Sequence, residues 1–147
     1  MTIRLLGATS VLTLCAANAW ADMNFNRVAS FPVIQNMADG QDRSRESSPE
    51  IIAATADGTT LIYTDSPLGV IGLIDIADPR NPAPLGNIVL DGEPTSVAIV
   101  GPKAYVGVNT SASYTAPSGH LAVIDITSKS VETTCDLGGQ PDSIAVD

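Results

Sequence analysis

The sequence predicts an all-β fold built from four-stranded sheets, and three observations carry that prediction. The first is an internal repeat, in which Gly72-Leu73-Ile74-Asp75-Ile76-Ala77-Asp78-Pro79 returns as His120-Leu121-Ala122-Val123-Ile124-Asp125-Ile126-Thr127. In both copies an apolar, β-branched run ends in Asp-Ile and opens into a polar turn. The second is the echo of Pro49-Glu50-Ile51-Ile52-Ala53 in Pro94-Thr95-Ser96-Val97-Ala98, and again in Pro141-Asp142-Ser143-Ile144-Ala145. The third is composition: 12 glycines, 10 prolines and few aromatics in 147 residues favour short strands and turns over long helices. A self-similarity of about 40–50 residues is the period of one four-stranded propeller blade. The expected architecture is thus a partial β-propeller, with two four-stranded blades plus the first strand of a third.

Residues 1–21 read as a secretory signal peptide. Arg4 supplies the positive start, Leu5 to Ala17 the apolar stretch, and Ala19-Trp20-Ala21 a small-x-small cleavage site. The apolar part is too short for a membrane span. The expected location is the periplasm or the extracellular space. Residues 22–48 form a second unit. Within it Arg27 to Ile34 reads as one strand, which Pro32 demotes to an edge because proline cannot donate to a ladder. Asn36 to Ser48 is polar, mixed in charge and expected to be a loop or flexible linker.

Residues 49–147 are the incomplete propeller. Ile51–Thr55 leads into Asp57-Gly58, a strong hairpin signal. Leu61–Thr64 follows, then Val70–Ile76 after a Ser-Pro-Leu-Gly loop, and Asn87–Leu90 after the Asp78-to-Pro82 turn. The second blade repeats the order with Thr95–Val100, a Gly101-Pro102 turn, Ala104–Asn109, Leu121–Ile126 and Val131–Asp136. Val97 to Val100 and Leu121 to Ile124 are apolar without alternation, as in strands buried on both faces. A third blade opens at Pro141. Two blades and a strand cannot close a ring, which typically takes 4–8 blades. An apolar face would therefore be bare unless the remainder of a longer chain, or a second copy, covers it. In a long ring the Arg27–Ile34 strand would complete the last blade.

The formal charge is −9, and removing Arg4 with the leader makes the remainder one unit more negative. With no Lys/Arg cluster, this balance argues against nucleic acid or an anionic membrane as partner. Of the two cysteines, Cys15 lies in the leader; Cys135 is expected as a buried small hydrophobe rather than a disulfide partner. His120 has no Cys or His cluster around it, which argues against zinc.

In a propeller the loops before the innermost strands, and those between second and third strands, share one face. That face should carry Glu50, Asp91, Glu93 and Gln140 with the loops Asp65–Gly69 and Thr110–Gly119. Carboxylates at a channel mouth suit a hard cation through oxygen ligands, so Glu50, Asp91 and Glu93 are the candidate calcium ligands. Solvated turn residues would look the same. Asp75 and Asp125 read as turn-formers. The long loop after Asn109 carries Thr110, Ser111, Ser113, Tyr114, Thr115 and Ser118, which is the composition of a ligand-contacting loop or of a tolerated insertion. No Gly-x-Ser-x-Gly elbow or phosphate-cradling loop is present in the sequence.

With the repeats laid out, Gly72 to Pro82 with Leu85-Gly86 resembles the LVIVD-type propeller repeat, and Gly138 to Val146 resembles the start of a YVTN-type blade. The stretch from Ser48 onward, with Tyr63-Thr64-Asp65-Ser66-Pro67 and Glu93-Pro94-Thr95-Ser96-Val97-Ala98, is similar to the N-terminal propeller of large exported bacterial proteins. Those are usually labelled esterase-like phytase, choice-of-anchor or alkaline phosphatase. The resemblance implies a secreted propeller segment in a phosphoester-hydrolase-related family, acting as scaffold or ligand-presenting module. The region that earns the esterase-like label lies further along such proteins, so no catalytic residue carries over. The alternatives are a non-catalytic propeller that binds a partner protein or cell-envelope polymer, and a truncated product without activity.

Overall fold

A computed structural model describes residues 26–147; the predicted leader, with Cys15, lies outside them. Eight strands follow in chain order: β1 (Pro49–Ala54), β2 (Thr60–Asp65), β3 (Val70–Asp75), β4 (Ala83–Val89), β5 (Glu93–Val100), β6 (Lys103–Asn109), β7 (Gly119–Asp125) and β8 (Ser130–Asp136). They form two antiparallel four-stranded meanders, β1-β2-β3-β4 and β5-β6-β7-β8. Each strand predicted between Ile51 and Asp136 is present, with ends moved by at most four residues.

The turns explain the hairpins. Asp57 accepts hydrogen bonds from the Thr55 and Thr59 hydroxyls and from the Thr59 amide, while Gly58 takes φ +70. Gly101 at φ +57 before Pro102 is the glycine-first pattern of a tight II′ connection. Asp75 Oδ1 accepts the Ala77 amide, and Asp125 Oδ1 accepts the Ser128 amide and hydroxyl. Both aspartates are thus turn-formers in their geometry.

The core lies between the sheets. Ile62, Ile71, Leu73 and Ile88 of the first meet Val97, Ala104, Val106, Val108, Ala122 and Ile124 of the second. Burying each of these larger side chains contributes about 1.5–3 kcal/mol. β5 lies against β1 and β2, and the Ser66 hydroxyl donates to Pro94 O across the junction at 2.6 Å.

Several expectations need correction. Arg27–Ile34 forms no strand: the chain runs irregularly to a short 3-10 helix at Val33–Asn36, with Val28 63% and Ile34 44% exposed. Pro32 at φ −74 stands at its N-cap. The polar stretch after it is a loop, one of the two expected forms, and its start covers the outer face of the first sheet. Asn36 is 3% exposed; its Nδ2 donates to the Tyr63 hydroxyl (3.0 Å) and its Oδ1 accepts the Gly86 amide (3.0 Å). Met37 is buried beside it. This is why β3 is buried on both faces from Val70 to Ile74.

The second sheet is not buried on both faces as predicted. Val97, Ala122 and Ile124 point into the core, whereas Ala98, Leu121 and Val123 on the opposite face are half-exposed. Cys135, expected inside, is exposed on the edge strand β8, where every residue is exposed. The run from Pro141 forms no strand, since no partner strand stands beside it among the described residues. It nevertheless lies on this open face: the Ile144 amide donates to Ser96 Oγ (3.1 Å), and Pro141 packs close over Gly107 and Gly119.

Candidate functional site

Antiparallel pairing decides which loops meet. Glu93 pairs with Asn109, and Asn109 with Gly119, so the start of β5 and both ends of the β6–β7 loop share one end of the second sheet. Leu137 N donates to Gly119 O, which brings Gly138 to Gln140 to the same end. Leu90 N donates to Gly69 O, adding the β2–β3 loop and the β4–β5 link. The face predicted to carry Glu50, Asp91, Glu93 and Gln140 is therefore one end of the two-sheet stack.

Its main concavity is a cleft of about 280 Å³ lined by Glu93, Asn109, Ser111, Ser113, Tyr114 and Gln140. Asn109 Nδ2 donates to Glu93 Oε2 at 3.2 Å, holding the carboxylate at the rim. The β6–β7 loop braces itself. Thr110 N donates to Ser118 O, Ser118 N to Ser111 Oγ, Ser111 Oγ back to Ser118 O, and Ser111 N to Asn109 Oδ1. Ala116 N closes the tip on Ser113 O, around a bridge between the two residues. Tyr114 rides on that tip with its side chain wholly in solvent.

The three candidate calcium ligands stand at this end but engage separate partners. Glu93 is held by Asn109, and Glu50 Oε1 takes a long bond from Ser48 Oγ (3.5 Å). Asp91 Oδ1 lies 3.2 Å from His120 Nε2. Among the described residues no three His, Cys, Asp or Glu side chains gather into a ligand set.

Sequence reasoning missed two contacts. His120 finds Asp91 across the sheets, although Nε2 is buried and out of line for a hydrogen bond. Asp65, 1% exposed, accepts from Ser47 Oγ (2.5 Å), the Ser48 amide (3.1 Å) and the Leu68 amide (3.4 Å), clamping the covering segment to the β2–β3 loop. Its place in Tyr63-Thr64-Asp65-Ser66-Pro67 marks a turn; burial beneath residues 47–48 has no local signal. Among the described residues no hydroxyl or thiol hydrogen-bonds to His120.

A larger hollow, about 500 Å³, is at the opposite end, where the sheets diverge over Leu73, Leu85, Pro102 and Ile126. Lys129, at φ +56, bridges it by donating to Leu85 O at 2.6 Å. No protein-family profile matches the chain, and no curated protein matches its sequence.

Proposed function

We propose that the two sheets are consecutive β-propeller blades of an exported protein, and that they form a binding module presenting the Glu93–Tyr114–Gln140 cleft to a partner molecule. The observation that carries this reading is convergence. The β4–β5 link, the longest strand-to-strand loop and the Gly138–Gln140 turn meet at one end around an exposed aromatic and a set of polar side chains. Binding residues concentrate on loops held by a rigid scaffold. The propeller reading is supported by residues 141–147, which carry the β5 pattern and lie over the second sheet as β5 lies over the first. Export rests on the order of charge, apolar run and small residues in residues 1–21.

Within the phosphoester-hydrolase class that the resemblance implies, this module would be scaffold, and we assign it no catalytic residue. Calcium on Glu50, Asp91 and Glu93 is left out of the proposal because those carboxylates are spread over three separate partners. The test is a titration of the isotopically labelled full chain with soluble cell-envelope extract, followed residue by residue through its amide resonances. Shifts confined to Glu93, residues 109–119 and residues 138–140 support the reading. Shifts at the other end (residues 55–59, 101–102 and 126–129), or none anywhere, overturn it.

A further inference from the structure

Resting on that reading, we infer that the cleft takes a neutral, hydroxyl-rich ligand, a single sugar ring of an oligosaccharide, stacked on Tyr114. Three features of the cleft point there. The first is its charge. Its lining holds one carboxylate, Glu93, and no Lys or Arg, on a chain of formal charge −9. A phosphorylated or acidic ligand would enter against that field with no cation to meet it. A cationic ligand would find one carboxylate already shared with Asn109.

The second is its set of free polar groups. The loop's own bonds consume the Ser111 hydroxyl, and Ser113 Oγ pairs with Thr115 Oγ1 at 3.2 Å. The Glu93 carboxylate keeps an oxygen to spare, and among the described residues the Gln140 amide and Tyr114 hydroxyl have no hydrogen-bond partner. Those are two acceptors, an amide donor and a phenol that donates or accepts, around a small space. Vicinal hydroxyls, each both donor and acceptor, answer such a set in any ring orientation.

The third is the aromatic. Tyr114 is fully exposed on a loop closed by backbone and hydroxyl bonds on both sides, so a ligand would have to order only the two torsions of its side chain. An amphipathic ring of this kind suits the C–H face of a sugar while its hydroxyl stays wet. The cleft volume of about 280 Å³ lies just under the roughly 300 Å³ at which small-molecule pockets begin, the scale of one sugar residue and not of a cofactor.

The experiment repeats the resonance titration of the full chain with defined probes: maltotetraose, cellotetraose and the N-acetylglucosamine tetramer as neutral glycans, tetragalacturonate as an acidic one, and inositol hexakisphosphate as a phosphoester. The expected result is saturable shifts at Glu93, residues 109–119 and Gln140 with at least one neutral probe and with neither anion. Tyr114→Ala should then weaken binding about tenfold, the size expected of an aromatic anchor. Gln140→Ala, also at the surface, provides a second variant whose far-UV spectrum confirms an intact fold. If envelope extract moves these residues but every neutral glycan fails, the inference is wrong while the binding-module reading stands. If an anionic probe binds better than the neutral ones, the charge argument is wrong. If nothing moves these residues, both readings fall.

Discussion

Gly72→Ala is the sharpest test of how the outer face of the first sheet is built. Tyr63, Gly72 and Asn87 pair side by side on that face, and the Tyr63 ring lies across the glycine. A Cβ at Gly72 would be built into the ring itself, with no free volume to take it. Overpacking of this kind costs about 1–3 kcal/mol. Displacing the ring also strips Asn36 Nδ2 of its acceptor in a buried place, which costs about 1–3 kcal/mol more. Replacing a strand glycine returns about 0.5–1 kcal/mol. The net expectation is a loss of about 3 kcal/mol, or a fall of about 1.5 M in the urea midpoint at a typical slope. Urea unfolding followed by circular dichroism reads it directly. Because the cause is a clash with one ring, Tyr63→Leu in the same chain should recover at least about 1 kcal/mol of coupling. A Gly72→Ala protein within about 0.5 kcal/mol of the parent, or a strictly additive double mutant, would refute the reasoning.

Other expectations follow from the same geometry. Burial holds the Tyr63 phenol above its ordinary 10.0, with the nearby Asp65 charge adding to it. The unfolded phenol ionises first, so stability is intact below pH 10.0 and is lost as pH rises through the raised value. Tyr63→Phe should remove that alkaline loss, and an unchanged alkaline limb in the urea midpoint would count against this. Asp65→Ala should cost about 1–3 kcal/mol by removing the acceptor of the Ser47 hydroxyl and the Ser48 and Leu68 amides. It should also open Arg43 and Arg45 to trypsin; an unaltered cleavage rate would mean that the segment is held by something else. The carboxyls of Asp57, Asp78 and Asp125 are held below 3.8, chiefly by bonds from Thr55, Asn81 and Ser128 respectively. Their contribution is present above 3.8 and fades as pH falls through the lowered values. Side-chain carbonyl resonances that titrate at or above 3.8 would contradict those turns.

The strands from Pro49 to Asp136 were legible because two local signals agree in each: a β-branched run, and turn residues where it ends. Asp57-Gly58 and Gly101-Pro102 do their work within a few residues of chain. The covering segment was not legible for the opposite reason. Its decisive residue is polar, and Asn36 is buried by partners 27 and 50 positions away. Val28 and Ile34 look like strand residues, but pairing needs an open ladder that composition cannot reveal. Pro141 to Asp147 repeats the β5 pattern but finds no neighbouring strand among the described residues to pair with. At the site, Glu93, Gln140 and the long loop were placed together by counting strands. The Asp91–His120 approach depends on how the two sheets sit against each other, which no spacing encodes.

The Asn36 cover makes the stack directional. Its two outer faces are unlike: one is sealed by the chain's own amide and methionine, while the other is half-exposed and already touched by Pro141 and Ile144. Whatever approaches the second side meets Pro141 and Ile144, whereas anything approaching the first must either dock on the plug or evict it. Eviction would break the Asn36 bonds to Tyr63 and Gly86 together. If such a stack is ever bent into a ring, Asn36 and Met37 stand at the seam.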